Sequence, residues 1–277
     1  MRYDQLFSKL FCSPLCLEPG RRAAFEQVLL AHMRGTPIPI QARKVDSLEA
    51  DRYAETILEV VGKQAIIHID GAIDRHISQL DRLCFDACDL NDVNRALARV
   101  ETNSEIEDVL LVINSPGGTV SGVPETARRI ADLAMKKNVF AFIDGMGCSA
   151  AYWLAAACDQ IFCAESSMVG SIGVYLAVLD ASKQLEMLGL NVQTIQAGEL
   201  KTAGVDWKPL TDSERVHLQD VVDEINELFR AAVTAKRTLG NETMQGQAFF
   251  GASAIEAGLV DAIVRDKDAA LAQFAGR

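Results

Sequence analysis

One stretch of this chain restricts its fold more than any other. Residues 139–143, Val-Phe-Ala-Phe-Ile, form a short continuous apolar run, and Gly145-Met-Gly-Cys-Ser-Ala-Ala-Tyr-Trp-Leu-Ala-Ala-Ala157 follows. The first run has the length of a buried strand. The second is uncharged and rich in alanine, so it must be a buried helix. Asp144-Gly145 between them is a turn signal. Ser149 is therefore expected where a strand breaks sharply into a helix. Its hydroxyl would lie at the carboxyl end of the strand, beside the free N–H groups of a helix N-terminus. A serine in that place serves as a nucleophile or simply as an N-cap, and this stretch alone does not choose.

The rest of the chain repeats the alternation. Further strands are expected at 65–69, 109–113, 160–163, 191–195 and 258–264. Between them lie helix signals. Asp89 can cap a helix with apolar Leu90, Val93, Leu97 and Val100, and Pro124 suits the first turn of a helix ending near Lys137. A further helix closes at residues 185–188, stopped by Gly189. Thr211-Asp-Ser-Glu214 is a capping box. It opens a long helix with Val221, Ile225, Leu228, Phe229 and Ala232 on one side, stopped by Gly240, and 254–257 is a short helix. Strands alternating with helices through short glycine-rich joints predict an α/β fold, a parallel sheet with packed helices. Sites in such sheets lie outside the carboxyl ends of strands, which singles out the loops 114–118, 144–149 and 170–173. Ahead of this domain, placed at 61–277, residues 1–60 are expected to form an N-terminal helical arm or adaptor. It has a helix at 20–31 and a linker near 35–52.

Composition excludes several functions. A net charge of −11 over 277 residues argues against nucleic acid as a partner. The seven cysteines do not form a secreted framework. Cys148, Cys158 and Cys163 fall in or beside core segments. The i,i+4 pairs Cys12/Cys16 and Cys84/Cys88 have no histidine at zinc spacing, so no metal is expected. A reducing compartment follows. The apolar patch at 10–17 is broken by Pro14 and lacks a cleavage site, so no leader is expected. No apolar run reaches the roughly 18 residues of a membrane span.

A serine nucleophile needs a base. The four histidines, His32, His68, His76 and His217, fall in segments expected to be arm, strand or surface, so a Ser-His-Asp triad is poorly supported. Lys201, in the glycine-bounded loop 198–204, is the other candidate. A free lysine titrates near ~10.4 while a useful base lies at roughly 7–8. Burial beside apolar surface can supply such a drop. Without further context, a solvated loop lysine is the favoured reading of Lys201. Gly117 and Gly118, after the strand at 109–113, let backbone N–H groups approach a ligand and could hold an oxyanion, though turns use Gly-Gly everywhere. Cys148 adjoins Ser149 but has no evident histidine.

Taken together, five blocks resemble the signal-peptide peptidase A family of the ClpP/crotonase superfamily. They are 111–118 (LVINSPGG), 149–155 (SAAYWLA), 169–174 (VGSIGV), 198–204 (GELKTAG) and 258–261 (GLVD), in the family's order. The resemblance implies a ClpP/crotonase-like fold and a serine endopeptidase with a Ser-Lys dyad, without cofactor. Ser149 matches the nucleophile, Lys201 the general base and Ser171 the serine that orients the lysine. Gly117, with Gly118, matches the oxyanion hole. Ala150 and Ala151 replace the glycine that usually follows the nucleophile. The resemblance further implies protein or peptide substrates and a homo-oligomeric ring, an octamer being one size in view, with the dyad completed across neighbouring protomers. The arm around 6–14 is similar to that of phage members that process capsid and scaffold proteins. This implies a cytoplasmic location, or the prohead within the host cytoplasm. The alternatives are a membrane or signal-peptide quality-control peptidase, and a non-catalytic assembly protein that keeps the fold. An acyl-CoA enzyme of the crotonase type shares the oxyanion logic but lacks a matching acid/base carboxylate.

Overall fold

The computed structural model describes residues 14–17, 56–77 and 87–276. The helix expected at 20–31 and its linker lie outside the described residues. Two sheets organise the chain. The larger contains β2 (Leu58–Val61), β3 (Gln64–Asp70), β6 (Asp108–Ser115), β8 (Asn138–Cys148), β9 (Gln160–Cys163), β10 (Met168–Gly170), β11 (Ala248–Phe250) and β12 (Ala262–Ile263). The smaller has the order β1-β7-β4-β5, built from Leu15–Leu17, Gly117–Thr119, Ala72–Asp74 and Ala87–Asp89. In the larger sheet β3, β6, β8, β9 and β12 are parallel, and antiparallel β2 and β11 flank it.

The central strands β3, β6, β8 and β9 are buried on both faces, as their continuous apolar character requires. Ala65, Ile67 and Ile69 of β3 point into the main core, and Ile66 points to the opposite face. The main core is closed by α1 (Leu90–Thr102), α2 (Val123–Ala134) and α3 (Ala150–Ala156). As the spacing predicts, α1 buries Leu90, Val93, Leu97 and Val100, and Asp89 caps it by accepting from the Asn91 N–H. Pro124 sits in the first turn of α2, which ends at Ala134 rather than near Lys137. On the other face Phe140 stacks on Phe274 at 4.0 Å and meets Phe162 edge-on. The C-terminal α7 (Lys267–Leu271) and the turn after it cover that side.

Three expectations need correction. Asp144-Gly145 does not turn the chain: β8 runs on to Cys148. Its first half pairs with β9 and its last residues, Met146 to Cys148, with β10. Ser167 makes this split possible. Its hydroxyl donates to the Ile143 carbonyl at 2.7 Å and accepts from the Gly145 N–H at 3.1 Å. The strand expected at 191–195 does not form. It finds no ladder partner among the described residues, and its residues are exposed. The long helix α5 (Asp212–Thr234) has the predicted capping box but stops before Gly240. It buries Phe229 and Val233, while Leu228 is exposed.

Between α3 and α5 the chain leaves the core. From Gly173 to Lys201 no residue is buried. This limb contains the short α4 (Ser182–Met187), stopped at Gly189 as expected, and a 3₁₀ turn at Glu199–Thr202. It is braced internally by Ala181 N–H on the Asp206 carbonyl and by the Trp207 indole on Thr194.

Candidate active site

Ser149 stands between the last residue of β8 and the first of α3, at the predicted junction. Its backbone adopts φ 56°, ψ −119°, a strained conformation for a residue with a Cβ. Its side chain makes no capping hydrogen bond, which removes the N-cap explanation. The strain is held from both sides. The Ser149 N–H donates to the Gly170 carbonyl at 2.7 Å, and its carbonyl accepts from the Trp153 N–H at 2.9 Å. Behind it α3 is wholly buried. Trp153 stacks on Phe229 of α5 with ring centroids 4.6 Å apart, and the Tyr152 hydroxyl donates to the Leu259 carbonyl at 2.8 Å. A hydroxyl lifted out of a strand on a sharp turn, at the mouth of a helix whose first N–H groups lack intrahelical acceptors, is the geometry of a nucleophile.

The three loops singled out in the sequence meet here. β10 pairs alongside the end of β8, so Gly170 faces Cys148. Gly117 approaches from β7. A Cβ on it would overlap the Cys16 carbonyl and come within 2.9 Å of the Ser149 Cβ, and its φ is +94°. A Cβ on Gly118 would overlap the backbone of Ile73 in β4. Only glycine fits either place. The Gly117 N–H is committed to the Ser115 hydroxyl at 3.2 Å.

Ser171 follows Gly170 with φ 51°, and its N–H donates to the Gln247 carbonyl at 2.8 Å. Ser149 and Ser171 line one cavity of about 390 Å³, together with Tyr175, Asn226, Arg230 and Met244. The Asn226 Oδ1 is buried there without a hydrogen-bond partner among the described residues. Lys201 does not line this cavity. It is exposed on the 3₁₀ turn, which is fixed by Gln196 donating to the Gly198 and Glu199 carbonyls and accepting from the Thr202 hydroxyl. The protomer thus brings together Ser149, Ser171, Gly117 and Gly118, and leaves Lys201 on the limb.

Of the histidines, His68 is a half-buried residue of β3 and His217 is exposed on α5, as expected. Cys148 and Cys158 are buried, and burial pushes the Cys158 thiol up to about 12. No group of three or more potential metal ligands occurs among the described residues. No helix among them is long and apolar enough to cross a membrane. Sequence reasoning missed four contributors: the Gly170 carbonyl, the Ser115 hydroxyl, Asn226 and Cys16. The first acts through backbone geometry that no side-chain pattern announces, and the second through a bond to the Gly117 N–H that the fold of its own loop sets. Asn226 is one polar residue on a polar helix face.

Comparison with known proteins decides the family. Residues 131–275, which include Ser149, Ser171 and Lys201, match Peptidase family S49. The chain belongs to peptidase family S49. Residues 49–171 also match Clp protease, which bears out the ClpP-like architecture expected from the sequence. Among S49-type relatives, a putative protease of Methanocaldococcus jannaschii, MJ0651, is 36% identical over 61% of this chain and 56% of its own length. Capsid assembly protease C of Escherichia phage lambda is 27% identical over 95% of this chain and 63% of its own. A putative signal peptide peptidase SppA of Enterococcus faecium is 29% identical over 62% of this chain and 52% of its own. The chain thus spans less than two thirds of the length of these relatives. An enoyl-CoA hydratase from Shewanella pealeana superposes with a TM-score of 0.44 at 14% identity, covering 82% of this chain and 76% of the hydratase.

Proposed function

We propose that this chain is a serine endopeptidase in which Ser149 is the nucleophile and Lys201 of a neighbouring copy is the general base. The observation that carries the reading is the strained Ser149 backbone at the β8–α3 junction, packed against Gly117. Evidence for a base supplied in trans is the cavity beside Ser149. It contains a buried acceptor, Asn226 Oδ1, and no lysine, while Lys201 projects from a limb with no buried residue between Gly173 and itself. A lysine entering that cavity would find Ser171 and Asn226 as partners. Its removal from water would favour the neutral amine that a base must be.

In this mechanism neutral Lys201 takes the Ser149 proton as the hydroxyl oxygen attacks a peptide carbonyl. The tetrahedral oxyanion is held by backbone N–H groups. The Gly117 N–H is turned to Ser115, so the donors are assigned to Gly118 and to Ala150, the first residue of α3. Lys201 then protonates the leaving amine, the peptide bond breaks, and water releases the acyl group. No cofactor takes part. The lambda relative is a capsid assembly protease, and processing of phage head or scaffold proteins in the prohead is the corresponding substrate proposal for this chain.

The test is hydrolysis of an unfolded protein by the wild type, Ser149→Ala and Lys201→Ala. Each variant is expected to lose activity. Mixing the two inactive variants is expected to restore roughly a quarter of wild-type activity, because random assembly puts an intact serine beside a neighbour's intact lysine that often. Equal activity in all three proteins would reject the assignment. Loss in both variants without recovery on mixing would place the lysine in the same protomer.

A further inference from the structure

A nucleophile that attacks polypeptides must be reachable, yet Ser149 is only 1% exposed. The chain's own β1 covers it. Leu15–Leu17 pairs antiparallel with β7, with Cys16 opposite Gly118 and Leu17 opposite Gly117. On its other edge Leu15 exchanges two hydrogen bonds with Tyr175, donating to the Tyr175 carbonyl at 2.9 Å and accepting from the Tyr175 N–H at 3.1 Å. The strand is therefore clamped along both edges by the backbone that borders the serine. Leu15 and Cys16 are fully buried. The Cys16 carbonyl lies over Gly117, the residue packed against Ser149. Burial pushes the Cys16 thiol up to about 12.

We infer that residues 15–17, held between β7 and Tyr175, are a built-in inhibitory strand that fills the groove in which an extended peptide would bind. A peptide in this groove gains main-chain hydrogen bonds on both edges and is selected by its side chains. Leu15 and Cys16 define the class of ligand: an extended apolar segment with a large aliphatic residue followed by a small one facing the serine. Leu15 fills the first place. Cys16 fills the second, opposite a glycine where no larger neighbour fits. The strand inhibits because it covers the hydroxyl, so a substrate must displace β1 before Ser149 can attack. The inhibition rests on the peptidase reading above; the groove itself does not.

The experiment measures binding rather than turnover, so the two readings fail separately. The full chain carrying Ser149→Ala is titrated with a fluorescent peptide copied from residues 11–20, alanine replacing Cys16 in the peptide. The same titration is made with the Ser149→Ala/Cys16→Asp chain, where a carboxylate in a fully buried position expels β1. About tenfold tighter peptide binding is expected for the double variant, since a groove filled nine-tenths of the time weakens apparent affinity by that factor. Independently of whether that variant folds, saturating peptide added to the Ser149→Ala chain is expected to expose Cys16 to iodoacetamide, read by mass mapping of that residue. Cys16 equally protected with and without saturating peptide would overturn the inference, as would equal affinities in two folded variants. Peptide binding together with no hydrolysis of an unfolded protein by the wild type would keep the groove and sink the peptidase.

Discussion

The two halves of the proposed dyad sit on regions built in opposite ways. Ser149 is fixed by a complete core: β8 is buried, every residue of α3 is buried, and Trp153 ties α3 to α5. Lys201 is carried by a limb whose apolar side chains Met187, Leu188, Leu190, Val192 and Ile195 all face solvent, Ile195 being 100% exposed. Exposed aliphatic residues grouped in one segment mark a surface that another protein covers. On the proposed reading, the difference teaches that one chain completes the serine's setting by itself and leaves the lysine's to a neighbouring copy. The serine needs strain held by packing, which one core supplies. The amine needs burial, which this limb does not provide by itself.

Three substitutions test that contrast. The largest effect is expected for Trp153→Ala, which removes a buried ring stacked on Phe229. A loss of about 3–5 kcal/mol should appear in denaturant unfolding of the protomer, and a loss below about 1 kcal/mol would show that the nucleophile half is not the rigid one. Gly117→Ala adds a Cβ into the Cys16 carbonyl and against Ser149 at positive φ. It should cost about 1–3 kcal/mol and abolish hydrolysis while leaving assembly intact by sedimentation. Assembly lost with it would tie the two regions together. The smallest effect on the protomer is expected for Ile195→Ser, within about 0.5 kcal/mol in unfolding. The same variant should sediment as smaller species and hydrolyse protein more slowly. Unchanged assembly and activity would remove the limb from the interface.

Where the sequence was legible, one physical reason recurs: side-chain pattern and local geometry agreed. The strand at 65–69, the Asp89 cap of α1 and the Thr211–Glu214 box each appear at the residues that signalled them. The three site loops were found because strand ends and glycines mark them. Legibility failed where a distant partner overrode a local signal. Asp144-Gly145 has the composition of a turn, but Ser167 and β10 hold it in a strand. Residues 191–195 have the composition of a strand, but the described residues offer them no edge. The patch at 10–17 was read only for what it excludes, and its last three residues prove to pair with β7 beside Ser149.

The sequence by itself determined the parallel α/β architecture, the strand-to-helix placement of Ser149 and membership in the family, because apolar periodicity and short motifs are local properties. Tertiary structure alone decided that β1 lies across Ser149 and that Lys201 stands away from it. The first depends on pairing between residues about a hundred or more positions apart, which leaves no trace in either segment; the second follows because the limb from Gly173 to Lys201 has no buried residue to draw it onto the core.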